Sequence, residues 1–519
     1  SINNKGVLPG DEMYMSGRAL FPLSINLAAK ISRKFNGELP ISYSGGASKF
    51  NASDIFATGI RPITLATDLL QPGGYNRLKD MTDLLEKSSA WVMDKIDVEK
   101  LEALAADVLD MHYAKKEWRG NDKAEVDEDL PVFDCYVAPC IVACPISQDI
   151  PEYIKLVGQK RYAEAVELIY EKNALPSITG HICSHQCQYN CTRLDYEGTV
   201  EIREIKKIAI LNGFDDYKMK WKVPGINKDK KIAVVGAGPA GLSVAYFLSR
   251  EGFSVTIFDK HDSAGGVVDH VIPQFRITRE AILSDIDFIE AHGVKFVFGV
   301  APEFSIKDLK AEGFDHVCLA IGAEGVRAFP IEGDNTNIIP SFDFLQSFNK
   351  DPNAIKLGKH VVVVGAGDTA MDAVRSAKRV EGVESVRVVY RRAQEQMPAS
   401  LEEYADALED DIPFQWLRNP ERFDADGTLT LRVMELGEPD ASGRRRPVPT
   451  DKTETIKIDT LIPSIGETVD TDILEGAGVA PNSKGWFDTD DDLKLKEDGV
   501  YLIGDGRTGP STIVQCIQE

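Results

Sequence analysis

Lys231-Ile232-Ala233-Val234-Val235-Gly236-Ala237-Gly238-Pro239-Ala240-Gly241 reads as a buried strand, a glycine turn and the head of a helix. Gly236 makes the tight turn, and Gly238, with Pro239 and Ala240 beside it, lets backbone approach a pyrophosphate. Gly241 lets the helix pack close to the strand, so that its N-terminus faces the phosphates. A second strand, Ser254 to Phe258, ends in Asp259, placed to accept from an adenosine ribose hydroxyl. A structural turn can mimic the glycines alone, but strand, helix and acid in register predict a dinucleotide-binding domain.

Segments further along the chain favour FAD in that domain. Gly265-Gly266 supplies a second turn on the pyrophosphate side. Asp315 to Ala323, with Gly322, is similar to the strand that returns beneath FAD in flavoproteins with two dinucleotide domains. Val500-Tyr501-Leu502-Ile503-Gly504-Asp505 resembles their final FAD strand, with Asp505 directed at the ribitol. Gly509-Pro510-Ser511-Thr512 then opens a helix whose N-terminus would favour negative charge on a reduced flavin.

A second unit, His360 to Ala370, carries Gly365 and Gly367 followed by Asp368, Thr369 and Ala370, with alanine at the third fingerprint position. Its second strand, Ser385 to Tyr390, ends in Arg391-Arg392 instead of an acid. Two guanidiniums attract a 2′-phosphate through charge-assisted bonds, so NADPH is expected; the alternative is a solvated basic pair.

Six of the eight cysteines fall in two groups, Cys135, Cys140 and Cys144, then Cys183, Cys187 and Cys191. Thiolates at such short spacings, with Pro145 after the first group, predict iron–sulfur ligation. Zinc is the rival, but it would leave the flavin without a one-electron partner. Cys318, within a strand, and Cys516, on a helix face, read as core or surface thiols without function.

The chain has 519 residues, room for several domains, and a net charge of −23, which makes nucleic acid an unsuitable partner. No segment is apolar for long enough to span a bilayer, and the clustered cysteines suit a reducing cytoplasm. Residues 39–44 and 62–67 read as strands, residues 78–118 as helical, and Tyr153 to Tyr170 as one amphipathic helix between the cysteine groups. The pattern opens at Ser1 and stops at Glu519 as if inside a longer protein.

From about Cys135 onward, these motifs resemble the FAD-containing small subunit of glutamate synthase and the N-terminal half of dihydropyrimidine dehydrogenase. The resemblance is carried by the cysteine groups, Ile272-Pro273-Gln274-Phe275-Arg276, both glycine loops, Tyr390-Arg391-Arg392 and Met397-Pro398. Phe133-Asp134-Cys135 and Ile182-Cys183-Ser184-His185 are most similar to large flavoproteins named as selenate reductase subunits. Those carry a dihydroorotate-dehydrogenase-like barrel, and Ser44-Gly45-Gly46 and Ala66-Thr67 are similar to its last two phosphate-holding turns.

The resemblance implies two [4Fe–4S] clusters, one on Cys144, Cys183 and Cys187, the other on Cys135, Cys140 and Cys191. Val132 stands where a further cysteine is expected, and Lys206 where an acidic or amide ligand is. Glu201, Glu204, His181 and His185 are the nearby substitutes, and a single cluster, or clusters completed by water or an outside thiolate, stays open.

The expected architecture is multidomain α/β. A (β/α)8 barrel tail (1–77) precedes a helical iron–sulfur domain (78–225). FAD-binding segments 226–355 and 463–519, the latter cut short, flank an NADPH-binding domain at 356–462. The expected activity is that of an NAD(P)H-dependent flavin oxidoreductase, passing electrons between NADPH, FAD and the clusters to a molybdenum hydroxylase or ferredoxin-type partner. One rival is reduction of a small heterocycle at a barrel FMN; another is a docking subunit with degenerate clusters.

Overall fold

The computed structural model describes residues 17–70, 75–86, 88–114, 137–195, 197–301, 304–333, 336–439, 445–480 and 487–519. Cys135, Val132 and the acidic stretch 125–129 lie outside them. The chain divides into two units, Ser1–Tyr136 and Val137–Glu519.

In the first unit the two expected strands shrink to Tyr43–Ser44 and Ile63–Thr64, a parallel pair. Pro40 and Pro62 bring no amide donors, and Gly45 and Gly46 turn the chain away at φ +116° and +80°. Phe21 and Ile25 on the helix Phe21–Lys34 share one core with Leu101 and Leu104 of the helix Val98–Asp107. The helix Val98–Asp107, beyond the expected boundary at 77/78, therefore shares its core with the segment before that boundary.

In the second unit, two helices, Ile150–Gly158 and Tyr162–Tyr170, replace the single expected one. Lys160 takes a left-handed φ of +60°, and the Arg161 amide closes on the Leu156 carbonyl at 2.9 Å. Tyr153, Val166 and Tyr170 of this pair share a core with Leu242, Tyr246 and Phe288 of the first dinucleotide domain. The cysteine helices and that domain are thus one packed body.

Five parallel strands form the first sheet, in the order Val500–Leu502, His316–Leu319, Lys231–Val235, Ser254–Phe258, Lys295–Val297. Its outer strand arrives from the far end of the chain. The second sheet is also parallel: Phe414–Trp416, Ser385–Tyr390, His360–Val364, Thr460–Pro463. A two-stranded antiparallel ribbon, Gly325–Val326 with Glu467–Thr468, carries the chain out of the first domain and back. An antiparallel sheet unforeseen in the sequence, Arg418–Phe423, Thr428–Pro439 and Arg445–Lys457, extends the inserted domain.

Candidate functional site: two glycine loops and a thiol cluster

The first glycine loop opens onto a cavity of about 430 Å³, a size suited to small-molecule and cofactor sites. Gly236, Gly238, Pro239 and Ala240 line one wall, with Asp259, Gly266 and Gly322 beyond them. Asp505, Ser511 and Cys516 close the opposite side, so both halves of the interrupted domain build one crevice. Gly241, Gly265, Gly504 and Thr512 support it from behind. A Cβ on Gly241 would stand 1.9 Å from the Gly236 carbonyl oxygen, and the Gly265 amide donates to the Ala237 carbonyl at 2.9 Å. Thr512 caps the last helix, exchanging hydrogen bonds with Gln515.

Asp259 is buried, and its carboxylate accepts from the Ala237 amide at 2.6 Å and the His261 amide at 2.8 Å. Each carboxylate oxygen keeps a further lone pair for a ribose hydroxyl. Glu324, missed in the sequence, also lines the crevice and pairs with Lys260 at 2.7 Å and His261 at 3.5 Å. Burial pushes its carboxyl up, but the two cations outweigh this and bring it to about 2. Asp505 accepts from Ser511 Oγ at 2.6 Å and from the Cys516 thiol at 3.4 Å, while burial pushes its carboxyl up. Cys516 therefore belongs to the crevice wall, a role its position on a helix face did not signal.

The second glycine loop repeats the cradle. Gly365 has φ +133°, and a Cβ there would meet the Ser464 carbonyl oxygen at 2.0 Å. Gly367 is the N-cap of the helix Asp368–Lys378, and Ala370 is fully buried beneath it. The Asp368 carboxylate is engaged by the Ser400 amide at 2.9 Å, and Thr369 donates to Glu467 at 3.2 Å. The Met397-Pro398 segment folds over this loop, the Ala399 amide donating to the Ala366 carbonyl at 3.0 Å. At the end of the Ser385–Tyr390 strand, Arg391 is exposed and Arg392 half-buried, its Nε lacking any hydrogen-bond partner among the described residues. Unengaged guanidinium donors at that position fit an incoming phosphate.

Arg276, from the motif that ends at it, is nearly buried between the domains. It donates to both oxygens of Asp372, at 3.0 and 2.8 Å, and pairs with Glu403, which also meets Arg375 at 3.3 Å.

The five described cysteines of the two groups are free thiols. The short helices bearing Cys140 and Cys187, Pro139–Val142 and Gln186–Tyr189, pack together. Cys187 lies within electrostatic reach of Cys183 and Cys144, and Cys140 of both Cys191 and Cys144, so Cys144 neighbours members of both expected ligand sets. Burial pushes the Cys187 thiol up to about 12, with Cys183 and Cys144 adding to the effect. Among the described residues no three His, Cys, Asp or Glu side chains close on a single-ion site. A four-iron cluster binds each thiolate through a different iron, and an all-thiol donor set suits it.

Of the substitutes for the missing ligands, Glu201 accepts from Gln188 at 3.2 Å and His181 Nδ1 sits 2.9 Å from the Ser177 carbonyl. His185 Nδ1, 3.9 Å from Glu402, has no hydrogen-bond partner among the described residues. Lys206 is buried and lies within electrostatic reach of Cys187.

Family models match three stretches of the chain. A family model described as pyridine nucleotide-disulphide oxidoreductase matches residues 230–519. A model described as dihydropyrimidine dehydrogenase domain II, 4Fe-4S cluster, matches residues 116–216. The N-terminal TIM-barrel domain of oxidoreductase YgfK matches residues 1–116. Oxidoreductase YgfK of Escherichia coli (strain K12) is 58% identical over 518 residues, covering 100% of this chain and 50% of the relative. The chain thus spans half the length of that relative. The NADPH-Fe(3+) oxidoreductase subunit beta of Geobacter sulfurreducens (strain DL-1 / KN400) is 35% identical over 74% of this chain and 62% of its own. The glutamate synthase [NADPH] small chain of Azospirillum brasilense is 32% identical over 74% of this chain and 84% of its own. The chain belongs to the pyridine nucleotide-disulphide oxidoreductase family, with a 4Fe-4S domain and TIM-barrel sequence joined ahead of the dinucleotide domains.

Proposed function

We propose that this chain transfers electrons between NADPH and iron–sulfur clusters through FAD. The observation that carries the reading is the single crevice built by the Gly236 loop and the Asp505 turn, with the helix of the second glycine loop hydrogen-bonded through Thr369 to Glu467 of the crossing ribbon. Bound flavin would supply the conversion of a hydride into single electrons. The chain's own work is to bind and orient. Asp259 and Asp505 hold the ribose and ribitol ends, the first helix N-terminus faces the pyrophosphate, and Arg391 and Arg392 take the 2′-phosphate. Cys144, Cys183 and Cys187 hold one cluster; Cys140 and Cys191, with Cys135, hold the other. The core shared by Tyr170 and Tyr246 fixes the cluster helices against the FAD domain. No side-chain acid or base is required.

A redox subunit, of molybdenum hydroxylase or ferredoxin type, is the proposed acceptor, and the cytoplasm the proposed compartment. No helix among the described residues is long and apolar enough to cross a membrane. Relatives include proteins named as beta subunits and small chains of NADPH- or NADP(+)-dependent enzymes. The test is anaerobic mixing with NADPH, followed by absorbance and low-temperature electron paramagnetic resonance. Flavin bleaching followed by a reduced-cluster signal is expected; a protein that binds FAD yet is not bleached by NADPH sinks the reading.

A further inference from the structure

Glu467 occupies a place that no glycine-loop motif foretells. It lies on the return strand of the ribbon joining the two dinucleotide domains, opposite Val326. Its Oε1 accepts from Thr369 Oγ1 at 3.2 Å, and Thr369 is the second residue of the helix Asp368–Lys378. On its other side, Glu467 is within electrostatic reach of Asp505, which lines the FAD crevice. The half-buried carboxylate therefore stands between the head of the second helix and the wall of the first site.

A dinucleotide straddles its pyrophosphate. One with its 2′-phosphate at Arg391 and Arg392 and its pyrophosphate at Gly365 and Gly367 would carry its nicotinamide half past the helix head, where Thr369 holds Glu467. The bond from Thr369 uses one of about four lone-pair positions on its carboxylate. The cation that also bears on Glu467 electrostatically, Arg327, is exposed.

We propose that Glu467 determines specificity for the redox state of the nucleotide, favouring the cationic ring of NADP+ over the neutral ring of NADPH. This rests on the functional reading above. A fixed, partly desolvated carboxylate attracts the charged ring and gains little from the neutral one.

The experiment is equilibrium titration of NADP+ and of NADPH into flavin-depleted protein, where no hydride acceptor is present, for wild type, Glu467→Gln and Glu467→Asp. In Glu467→Gln, NADP+ binding should weaken roughly tenfold while NADPH changes by less than about twofold. Glu467→Asp keeps the charge and should retain most of the preference, which separates a charge effect from misfolding. Equal changes for both nucleotides, or none, overturn the proposal. Wild-type protein that binds NADP+ and NADPH but shows no Glu467 dependence leaves the electron-transfer reading standing; wild type that binds neither overturns both.

Discussion

Arg203 donates to both carboxylate oxygens of Glu402, to Oε2 at 2.8 Å, and the same guanidinium reaches the Cys183 carbonyl at 3.3 Å. One side chain thus ties a cysteine loop to the helix Leu401–Glu409 of the inserted domain. Arg203 is largely buried and Glu402 about half exposed, so the pair is screened on one side only.

Replacing Arg203 by Gln should cost about 1–2 kcal/mol, because Glu402 keeps access to water while the half-buried Cys183 carbonyl loses a charged donor. Hydrogen exchange should rise selectively in residues 401–409. A uniform rise, or none, would show that the pair does not hold the two domains together.

Asp285, fully buried, accepts from the Ser177 and Ile178 amides at 3.1 and 2.8 Å, fastening the FAD domain to the cysteine domain. Burial pushes its carboxyl up to about 7. Between an unfolded value of about 4 and this folded one, the folded protein holds one extra proton. Its contribution is then full below about pH 4 and falls by about 1.4 kcal/mol per unit until about pH 7. Asp285→Asn should lack that slope. Denaturant midpoints at pH 5, 6, 7 and 8 check it, and parallel profiles for variant and wild type would contradict the assignment.

Gly241→Ala places a methyl carbon 1.9 Å from the Gly236 carbonyl oxygen, which is rigid backbone. The helix must retreat from the turn, so FAD content should fall severalfold with a loss of about 1–3 kcal/mol in stability. Flavin release on denaturation measures the first and thermal melting the second. Normal FAD occupancy would mean that the close approach is not needed for binding.

The glycine loops were legible because their function is local: turn, helix head and strand end are sequence neighbours. The strands Ser254–Phe258 and Ser385–Tyr390 were likewise readable residue for residue, being short runs rich in β-branched and aromatic residues that end in charge. Glu324 and Glu467 were not, because each owes its place to partners far away in the chain, and a lone Glu carries no spacing signal. The Arg418–Lys457 sheet was missed because its strands are amphipathic and rich in charge, as Arg445–Lys457 shows in its largely exposed face. The break at Lys160 depends on a left-handed residue that is not glycine, which no local rule favours.

Changing Cys144 or Cys183 to Ser should lower iron and acid-labile sulfide while FAD remains, since the flavin crevice contains neither residue. The thiol set around Cys187 should fail first, leaving any signal that depends on Cys140 and Cys191. Unchanged iron in both variants would refute the ligand assignment.

The preference for NADPH should reside in Arg391 and Arg392. A 2′-phosphate is close to doubly charged at neutral pH, and each charge-assisted bond is worth roughly 1.5–3 kcal/mol before screening. Arg391 is exposed, which reduces its share. Arg392 has a buried Nε with no partner among the described residues, so a phosphate there would satisfy a donor already stripped of water. The net preference should then be about 1–3 kcal/mol, or roughly five- to two-hundredfold. Arg391→Ala with Arg392→Ala should raise the NADPH KM by most of that factor and leave NADH rates nearly unchanged, because a 2′-hydroxyl has no charge to lose. The single Arg392→Ala change should account for more of the loss than Arg391→Ala, and its effect should be the less sensitive to salt. Steady-state rates with both nucleotides at low and high ionic strength decide the matter. A wild type that prefers NADH, or a double variant that loses both activities equally, would refute the assignment.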